Sequence, residues 1–346
     1  MTARRLPRAA LIRAAIGIAI SVAAGALALR SSDPERVAAV LGDATSPWVA
    51  VMVGWNVLDV LLRARRWQRL LGPVVAVPYR ATAGYLLIGY LANNLLPARL
   101  GELVRSHLLG DREGVSRTTV FGTVVVERVI DTTTVVAIGA GSLALLSVTG
   151  VFGDSVRVGL ALVGLLVAGL AVALAAHRLP GLRTILDGLA RWPRLHDLVL
   201  RLRAGLAVAG RPRTLAEATG LTVAAWGASV LAFAAAGAAV GGPLSLSQAG
   251  FVAATVALAT AVPSGPAYLG TFELAATTAG VAIGLPAERA FALGLLVHRW
   301  DRRRHLHWRE PSPWRRPGER IGDLVGTPAR NDGVGSDGAG RSGVTG

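Results

Sequence analysis

The segment Asn93-Asn94-Leu95-Leu96-Pro97-Ala98-Arg99-Leu100-Gly101-Glu102 interrupts an apolar window that begins at Ala81. A second window, Leu246–Ile283, is interrupted in the same way by Pro263-Ser264-Gly265-Pro266-Ala267-Tyr268-Leu269-Gly270-Thr271-Phe272-Glu273. Pro and Gly leave backbone groups without intrahelical partners, and inside a membrane those groups must face protein, water or a polar ligand. The two breaks predict two helical hairpins; simple kinks in two long spans are the alternative.

The composition around these windows is that of a membrane protein. Of 346 residues, 52% are hydrophobic and only 16% are charged, whereas about a quarter of an ordinary soluble domain is charged. The absence of Cys excludes disulfide scaffolds and thiolate metal sites. Further apolar runs predict spans at Ala9–Leu29, Trp48–Leu62, Thr118–Thr149, Arg157–Ala176 and Leu215–Val240, with a short last run at Ala287–Val297.

The distribution of Arg predicts the orientation. The net charge is +15, and Arg collects in residues 1–8, 63–80 and 177–213, which we expect on the cytoplasmic side. These segments share one side only if the first interrupted window, Ala81–Leu96, returns to the side from which it enters. The same reasoning places the second window as a hairpin that enters from the outer face. We therefore predict an all-α, polytopic transmembrane bundle with two re-entrant broken-helix hairpins of opposite orientation, as in an inverted repeat. The expected location is the cell (inner) membrane, with the N-terminus in the cytoplasm; a cleavable signal is the disfavoured alternative.

The chain divides into a predicted transmembrane domain and a tail. Residues 1–298 form the domain, and within it the basic segment 177–213 is predicted to form amphipathic helices on the inner leaflet. Residues 299–346 are rich in Arg, Gly, Trp and Pro and are predicted to be disordered. The abrupt switch at Arg299 suits a truncated or out-of-frame C-terminus.

Two acidic residues beside the breaks are the first candidates for function. Glu102 and Glu273 each follow a Gly, and a carboxylate in the first turn of a helix complements its dipole, with Thr271 as a possible cap for the second helix. Alternatively, both carboxylates line one cavity and engage a cationic head group or a coupling proton, because ionisable groups at membrane depth are usually functional.

The polar residues of the first break have two interpretations each. Arg99 lies inside the break and could bind a lipid phosphate or a Glu, whereas Arg105 could bind phosphate or be a charge at the cytoplasmic rim. Asn93 and Asn94 could satisfy the broken backbone or contact a ligand.

Other charged residues share helix faces. Glu127, Arg128 and Asp131 are predicted to form structural ion pairs, with a gate between the two halves as the second interpretation. In the second span, Asp59 and Arg63 are spaced to pair, and Trp67 is predicted to anchor the span at the membrane interface.

Signatures of enzymes and of soluble partners are lacking. The sequence contains no Lys and therefore no P-loop, no catalytic motif stands out, and we predict neither a cofactor nor a metal. The six His are interpreted as surface residues. Nucleic-acid binding is not expected, because no groove-reading element accompanies the positive charge.

Four motifs in order resemble one known family. They are Arg63-x-Arg65-Arg66-Trp67, Asn93-Asn94-x-Leu96-Pro97-x-Arg99-x-Gly101-Glu102-x-x-Arg105, Glu127-Arg128-x-x-Asp131 and Pro263-Ser264…Gly270-Thr271-Phe272-Glu273. Together they resemble the flippase-like transmembrane domain of lysylphosphatidylglycerol synthases. The resemblance implies a bundle with re-entrant helices that handles a modified phospholipid or a polyprenyl-linked lipid. The chain lacks the soluble aminoacyl-transferase module, so synthase activity is not implied.

We therefore expect an integral membrane, translocase-like protein whose partners are membrane lipids with an anionic head group. The alternative is a non-transporting accessory or scaffold of a separately encoded, lipid-modifying transferase. The residues expected to contact substrate are Asn93, Asn94, Arg99, Glu102, Arg105, Ser264, Thr271 and Glu273.

Overall fold

The computed structural model describes residues 8–30, 32–95, 100–146, 151–175, 191–261 and 264–303. These residues form helices and no strands, which confirms the all-α prediction. The α-helices, in chain order, are α1 Arg8–Arg30, α2 Pro34–Gly42, α3 Ser46–Leu71, α4 Tyr79–Leu95, α5 Gly101–Arg112, α6 Arg117–Leu146, α7 Val151–Ala175, α8 Pro193–Leu206, α9 Pro212–Ala239, α10 Leu246–Ala259, α11 Thr271–Ala282 and α12 Ala287–Arg303.

Within the described residues, three helices are long and apolar enough to cross a membrane. They are α3, α6 and α9, and a fourth span is formed if Ile16–Arg30 is counted with α2, from which it is bent by 83°. The 26 residues of α3 extend about 39 Å, more than the roughly 30 Å of hydrocarbon in a bilayer. The exposed apolar side chains of α1, among them Ile18, Val22 and Leu27, suit contact with lipid.

Helices α3 and α9 form the central antiparallel pair of the bundle. At one end, the Thr45 amide donates to the Ala239 carbonyl at 3.1 Å. At the other end, the Arg69 guanidinium lies 3.4 Å from the Glu217 carboxylate. These contacts define an Ala239 end and a Glu217 end.

The first broken segment folds into the hairpin α4–α5. Its arms meet near the tip, where the Gly101 amide donates to Asn93 Oδ1 at 2.8 Å, and near the open end, where the Tyr85 hydroxyl donates to Glu113 Oε1 at 3.1 Å. A short turn joins α3 to α4, so this hairpin opens at the Glu217 end.

The second broken segment folds into the hairpin α10–α11, which opens at the other end of the bundle. Arg289, just beyond this hairpin, donates from Nη1 to the Gly241 carbonyl just before it, at 2.9 Å. A 3₁₀ turn, Pro266–Tyr268, precedes α11, and α4 packs against this turn. The turn at the second break therefore lies against a helix of the first hairpin.

One boundary and one packing arrangement differ from the sequence prediction. Helix α12 continues to Arg303, so the predicted disorder from residue 299 is wrong for residues 299–303; residues 304–346 lie outside the described part. Within the basic segment, α8 is helical as predicted, but it also packs on the protein. A side chain at Gly205 would overlap the Thr119 carbonyl of α6, while Leu195 and Leu198 stay exposed. The stretch 176–190 is outside the described residues.

Candidate functional site

A buried cluster of charges joins α3, α5 and α6. It contains four arginines and four carboxylates, so its formal charge is zero, and its members are Asp59, Arg63, Arg66, Glu102, Arg105, Glu127, Arg128 and Asp131. Charges withdrawn from water are tolerated when each is paired and hydrogen-bonded. The helices supply complementary charges across their contacts, which makes this cluster the polar centre of the bundle.

Arg66 lies at the centre of the cluster. Its guanidinium donates to the two Asp131 oxygens at 2.6 and 3.1 Å, lies 2.9 Å from Glu127 Oε1, and donates to Thr222 Oγ1 of α9 at 3.2 Å. Glu127 and Asp131 are one helical turn apart, so both carboxylates face α3. The two-pronged contact matches the planar guanidinium to a carboxylate, which fixes the register of α3 against α6.

Arg105 is buried, which is incompatible with its interpretation as a charge at the membrane rim. Its Nη2 donates to Glu127 Oε1 at 3.0 Å, and its guanidinium carbon lies 4.5 Å from the centre of the Trp67 ring. Trp67 itself is completely buried and donates weakly to Thr123 Oγ1 at 3.4 Å, so the prediction of an interfacial anchor is wrong. The aromatic face and the carboxylate together compensate the buried charge of Arg105.

Arg128 is the most exposed arginine of the cluster, with 38% of its side chain accessible. Its Nε lies 2.9 Å from Glu102 Oε1, and its other nitrogens lie 3.5 Å from Glu127 and 3.7 Å from Asp131. The nearest partner is thus in the first hairpin rather than one turn along α6. Arg128 can exchange among three carboxylates, whereas Arg66 and Arg105 are enclosed.

A cavity of about 330 Å³ lies beside this cluster. One wall is charged and contains Asp59, Arg63, Arg128 and Asp131. The rest of the lining is mainly apolar and comes from α9 to α12, including Phe233, Val256, Phe272 and Val297. The cavity therefore offers both charged groups and hydrocarbon-like surface.

Trp226 of α9 organises the charged wall. Its indole Nε1 donates to Asp131 Oδ1 at 3.1 Å, and the Arg63 guanidinium carbon lies 4.7 Å from its ring centre. Arg63 also donates to Asp59 Oδ1 at 2.8 Å, which confirms the pairing predicted from their spacing. Arg63 thus presents its charge at the cavity while remaining held on two sides.

Neither of the two predicted carboxylates is among the described residues that line this cavity. Glu102 lies behind Arg128 and is paired with it. Glu273 lies behind Phe272, at the second break, and is buried. The structure therefore places both acids one residue away from the cavity, on opposite sides, instead of on its surface.

Glu273 binds a residue that sequence reasoning missed. Its Oε2 accepts from the Gly270 amide at 2.7 Å, and its Oε1 lies 2.5 Å from Nδ1 of His298, which is itself buried. The other ring nitrogen, Nε2, lies 2.7 Å from the Ala267 carbonyl. His298 precedes Arg299 and was interpreted as a surface residue. His298 lies four residues after Gly294 and seven after Phe291, and this helical spacing would have placed it on the apolar face of α12.

The small polar residues of the second break satisfy its backbone. The Thr271 hydroxyl donates to the Tyr268 carbonyl at 2.9 Å and lies 3.2 Å from the Oγ of Ser264, which is buried and can donate to it. The N-cap of α11 is Gly270, with φ of 82°, and not Thr271. The Gly265 amide donates to Ser21 Oγ of α1 at 2.8 Å, so the break is also fixed to the first helix.

In the first break, the Asn93 side chain satisfies a backbone amide, whereas the structure shows no such bond for Asn94. Asn93 accepts from the Gly101 amide, whereas Asn94 is half-buried near the tip of the hairpin. Arg99 lies outside the described residues. Among the described residues, no group of three or more His, Asp or Glu is arranged to hold a metal ion.

Comparison with known proteins gives two matches. A family model described as "Lysylphosphatidylglycerol synthase TM region" matches residues 14–299. A curated protein, "Glycosyltransferase AglD" from Haloferax volcanii, is 32% identical over 142 residues, which is 40% of this chain and 22% of that protein. The matched stretch therefore spans about a fifth of that relative. No solved structure matches the chain.

Proposed function

Because the chain belongs to the lysylphosphatidylglycerol synthase transmembrane-region family, we propose that it is a lipid translocase. Its substrate is a phospholipid or a polyprenyl-linked lipid with an anionic phosphate head group. The multi-pass membrane architecture and the family membership connect the chain with lipid-linked processes. Movement of the lipid between leaflets is the specific part of the proposal.

The observation that carries the proposal is the cavity between the buried charge cluster and the second hairpin, whose lining is both charged and apolar. A phospholipid head needs cations or hydrogen-bond donors, and the adjoining glycerol and acyl carbons need apolar contact. The cavity supplies both in one place, because Arg63 and Arg128 line it together with Phe233 and Phe272. A soluble anion would make no favourable contact with the apolar lining residues, so these residues favour a lipid.

Arg128 is the residue we assign to the first contact with phosphate. It is accessible, and its carboxylate partners lie at 2.9 to 3.7 Å, so a phosphate can replace one of them without leaving the guanidinium unpaired. Arg63 is the second contact, held in place by Asp59 and Trp226. Arg66 and Arg105 are assigned a structural role, because their charges are already enclosed by protein.

The hairpins provide the route across the membrane in this proposal. The arms α4, α5, α10 and α11 have 12 to 17 residues and extend about 18 to 26 Å, less than the roughly 30 Å of hydrocarbon. Each hairpin then dips into the bilayer from its own side and ends near the middle. The cavity is lined by the second hairpin and, in the described part of the chain, touches the first only through the pair of Arg128 with Glu102. Movement of the hairpins would open it alternately to the two leaflets, as in transporters built from broken helices.

The test is a reconstituted assay. The protein is placed in phosphatidylcholine vesicles with a fluorescent phosphatidylglycerol, and exposure of the probe on the outer leaflet is followed by quenching. Arg128→Gln should weaken head-group binding by about ten- to a hundredfold, the loss expected for one hydrogen bond to a charged group. Arg117→Gln, which alters an exposed arginine paired with Asp111, is the matched control and should behave as wild type. Equal rates for wild type, Arg128→Gln and empty vesicles would refute the proposal.

A second candidate function comes from the relative named as a glycosyltransferase. In this alternative, the chain binds the lipid for a separately encoded transferase and does not move it between leaflets. It predicts lipid co-purifying with the protein, no translocation by the protein alone, and specific co-purification of a transferase from the native membrane.

A further inference from the structure

The contact between Glu273 and His298 allows its protons to be counted. His298 Nε2 faces the Ala267 carbonyl, which is only an acceptor, so Nε2 must carry a hydrogen. Nδ1 then lies beside Glu273 Oε1. An unprotonated Nδ1 and an ionised carboxylate are both acceptors and would repel each other at this distance. A second proton must therefore lie between them, either on the imidazole or on the carboxyl group.

We propose that Glu273 and His298 form a proton-binding site whose occupancy controls lipid movement. One proton is held between Nδ1 and Oε1, and its release leaves a neutral imidazole, an ionised carboxylate and a net charge of −1. The proton site follows from the geometry of these two residues. Its coupling to lipid movement rests on the proposed function.

The shared proton holds the second break together. Glu273 also binds the Gly270 amide, and His298 also binds the Ala267 carbonyl, so the pair ties the turn between these residues to both α11 and α12. Ala267 and Gly270 have positive φ values of 56° and 82°, a conformation that a non-Gly residue adopts only when its surroundings enforce it. Loss of the proton would remove one of the contacts that enforce it.

The side chain of Phe272 connects the Glu273–His298 pair with the cavity. The Phe272 ring stacks on the His298 ring, with 4.6 Å between centroids and 17° between planes, and Phe272 lines the cavity. Phe272 also stacks against Phe233 at 6.5 Å. A displacement of His298 would therefore shift the apolar wall against which the lipid lies.

Few other charges face this pair. Across the cavity from Phe272 lie Asp59 and Arg63 of α3 and Arg128 and Asp131 of α6, which are already paired with one another. The stretches of α9 and α10 that pack nearby have no charged residue. The titratable or charged groups on the remaining neighbouring elements whose side chains the structure describes are Arg30, Asp33, Glu35, Arg36, Tyr79, Arg80, Tyr85, Tyr90, Tyr268, Glu288, Arg289 and Arg299. The direct electrostatic partner of Glu273 is therefore His298.

The variant Glu273→Gln removes the shared proton but keeps the contacts that hold the second break. The glutamine Oε1 can still accept from the Gly270 amide, and its amide nitrogen can donate to an unprotonated Nδ1 of His298. The substitution therefore keeps the turn closed without the shared proton. Glu273→Ala removes both the proton and the contacts.

The proton site is tested by ¹⁵N NMR of histidine-labelled protein in lipid nanodiscs between about pH 5 and pH 9. His298 is identified by comparison with His298→Gln. We expect Nε2 to stay protonated throughout and Nδ1 to change from a proton-sharing to an unprotonated signal as the pH rises. In Glu273→Gln, Nδ1 should stay unprotonated at every pH at which the fold persists. A wild-type Nδ1 that never shares a proton with Glu273 would overturn the site.

The coupling is tested in vesicles by measuring the pH dependence of lipid exposure. If binding of one proton controls lipid movement, the wild-type rate of lipid exposure changes by up to about tenfold for each pH unit. The Glu273→Gln rate should vary little with pH, and His107→Gln, at an exposed histidine, should follow wild type. The same pH profile in Glu273→Gln and wild type would overturn the coupling. If wild type moves no lipid at any pH, the proposed function fails along with the coupling, and the NMR result still decides the proton site.

Discussion

Arg66 and Asp131 are separated by 65 positions in the chain and joined by a buried ion pair at 2.6 Å. Their helices, α3 and α6, are both long enough to span a membrane. Removing one member of a buried pair leaves an uncompensated charge, which typically costs about 3–5 kcal/mol. This pair therefore has a larger effect on the fold than any exposed charge in the described residues.

Asp131→Ala should destabilise the protein by about that amount, because Arg66 retains only Glu127 and Thr222 as partners. The measurement is thermal unfolding in detergent, followed by circular dichroism. Asp197→Ala, which removes an exposed pair with Arg201, is the control and should leave the unfolding temperature almost unchanged. Similar losses in the two variants would contradict the structural role of the cluster.

Gly101→Ala should open the first hairpin. A Cβ at this position would overlap the Gly89 carbonyl oxygen and the Asn93 side chain, and such overpacking costs about 1–3 kcal/mol. The same change at Gly54, in α3, has open space around it and should be neutral or slightly stabilising, since Ala favours a helix over Gly. Unfolding temperatures of both variants check the prediction. A tolerated Gly101→Ala would mean that α4 and α5 do not approach each other as described.

Asn93→Ala and Asn94→Ala should separate stability from ligand binding. Loss of the Asn93 side chain leaves the Gly101 amide without its acceptor, at a cost of about 1–3 kcal/mol. Asn94→Ala should have the smaller effect on unfolding. If Asn94 contacts lipid, this variant alone should reduce the lipid that co-purifies, as measured by mass spectrometry. A stability loss in Asn94→Ala as large as in Asn93→Ala would refute the division.

The orientation of the hairpins can be tested with single cysteines, because the chain has none of its own. If both hairpins are re-entrant, Cys at Ala76 and at Gly114 should be labelled from one side of the membrane. Cys at the exposed positions Pro243 and Gly284 should both be labelled from the other side. Impermeant maleimide applied to sealed vesicles of known orientation provides the measurement. Labelling of Ala76 and Gly114 from opposite sides would show that the first window crosses completely.

Local spacing predicted part of this structure. The apolar runs gave the helices, and the spacing of Asp59 and Arg63 gave their pair, because both depend on neighbours along one helix. The breaks were evident from Pro and Gly in apolar sequence. Hairpins were favoured over kinked spans because of the distribution of Arg. The contacts of Gly241 with Arg289 and of Glu113 with Tyr85 agree with hairpins.

The partners across helices could not be predicted in this way. Nothing in the spacing of Arg66 or Arg105 indicates Glu127, because helix packing brings them together. Trp67 next to a row of arginines is typical of an interfacial residue, yet in the fold it supports Arg105. The burial of His298 was missed because of its neighbours in the sequence. Its basic neighbours suggested a surface position, while the apolar face of α12 continued through it.

The bond from Gly265 to Ser21 has a consequence for biogenesis. It joins positions 244 residues apart, and Gly17 and Gly25 of the same helix also lie against the second break. A ribosome must therefore make most of the chain before the first helix meets its partner. Until then we expect α1 to be surrounded by lipid, which suits its exposed apolar side chains Ile18, Val22 and Leu27. The second break is consequently among the last parts of the molecule to be completed.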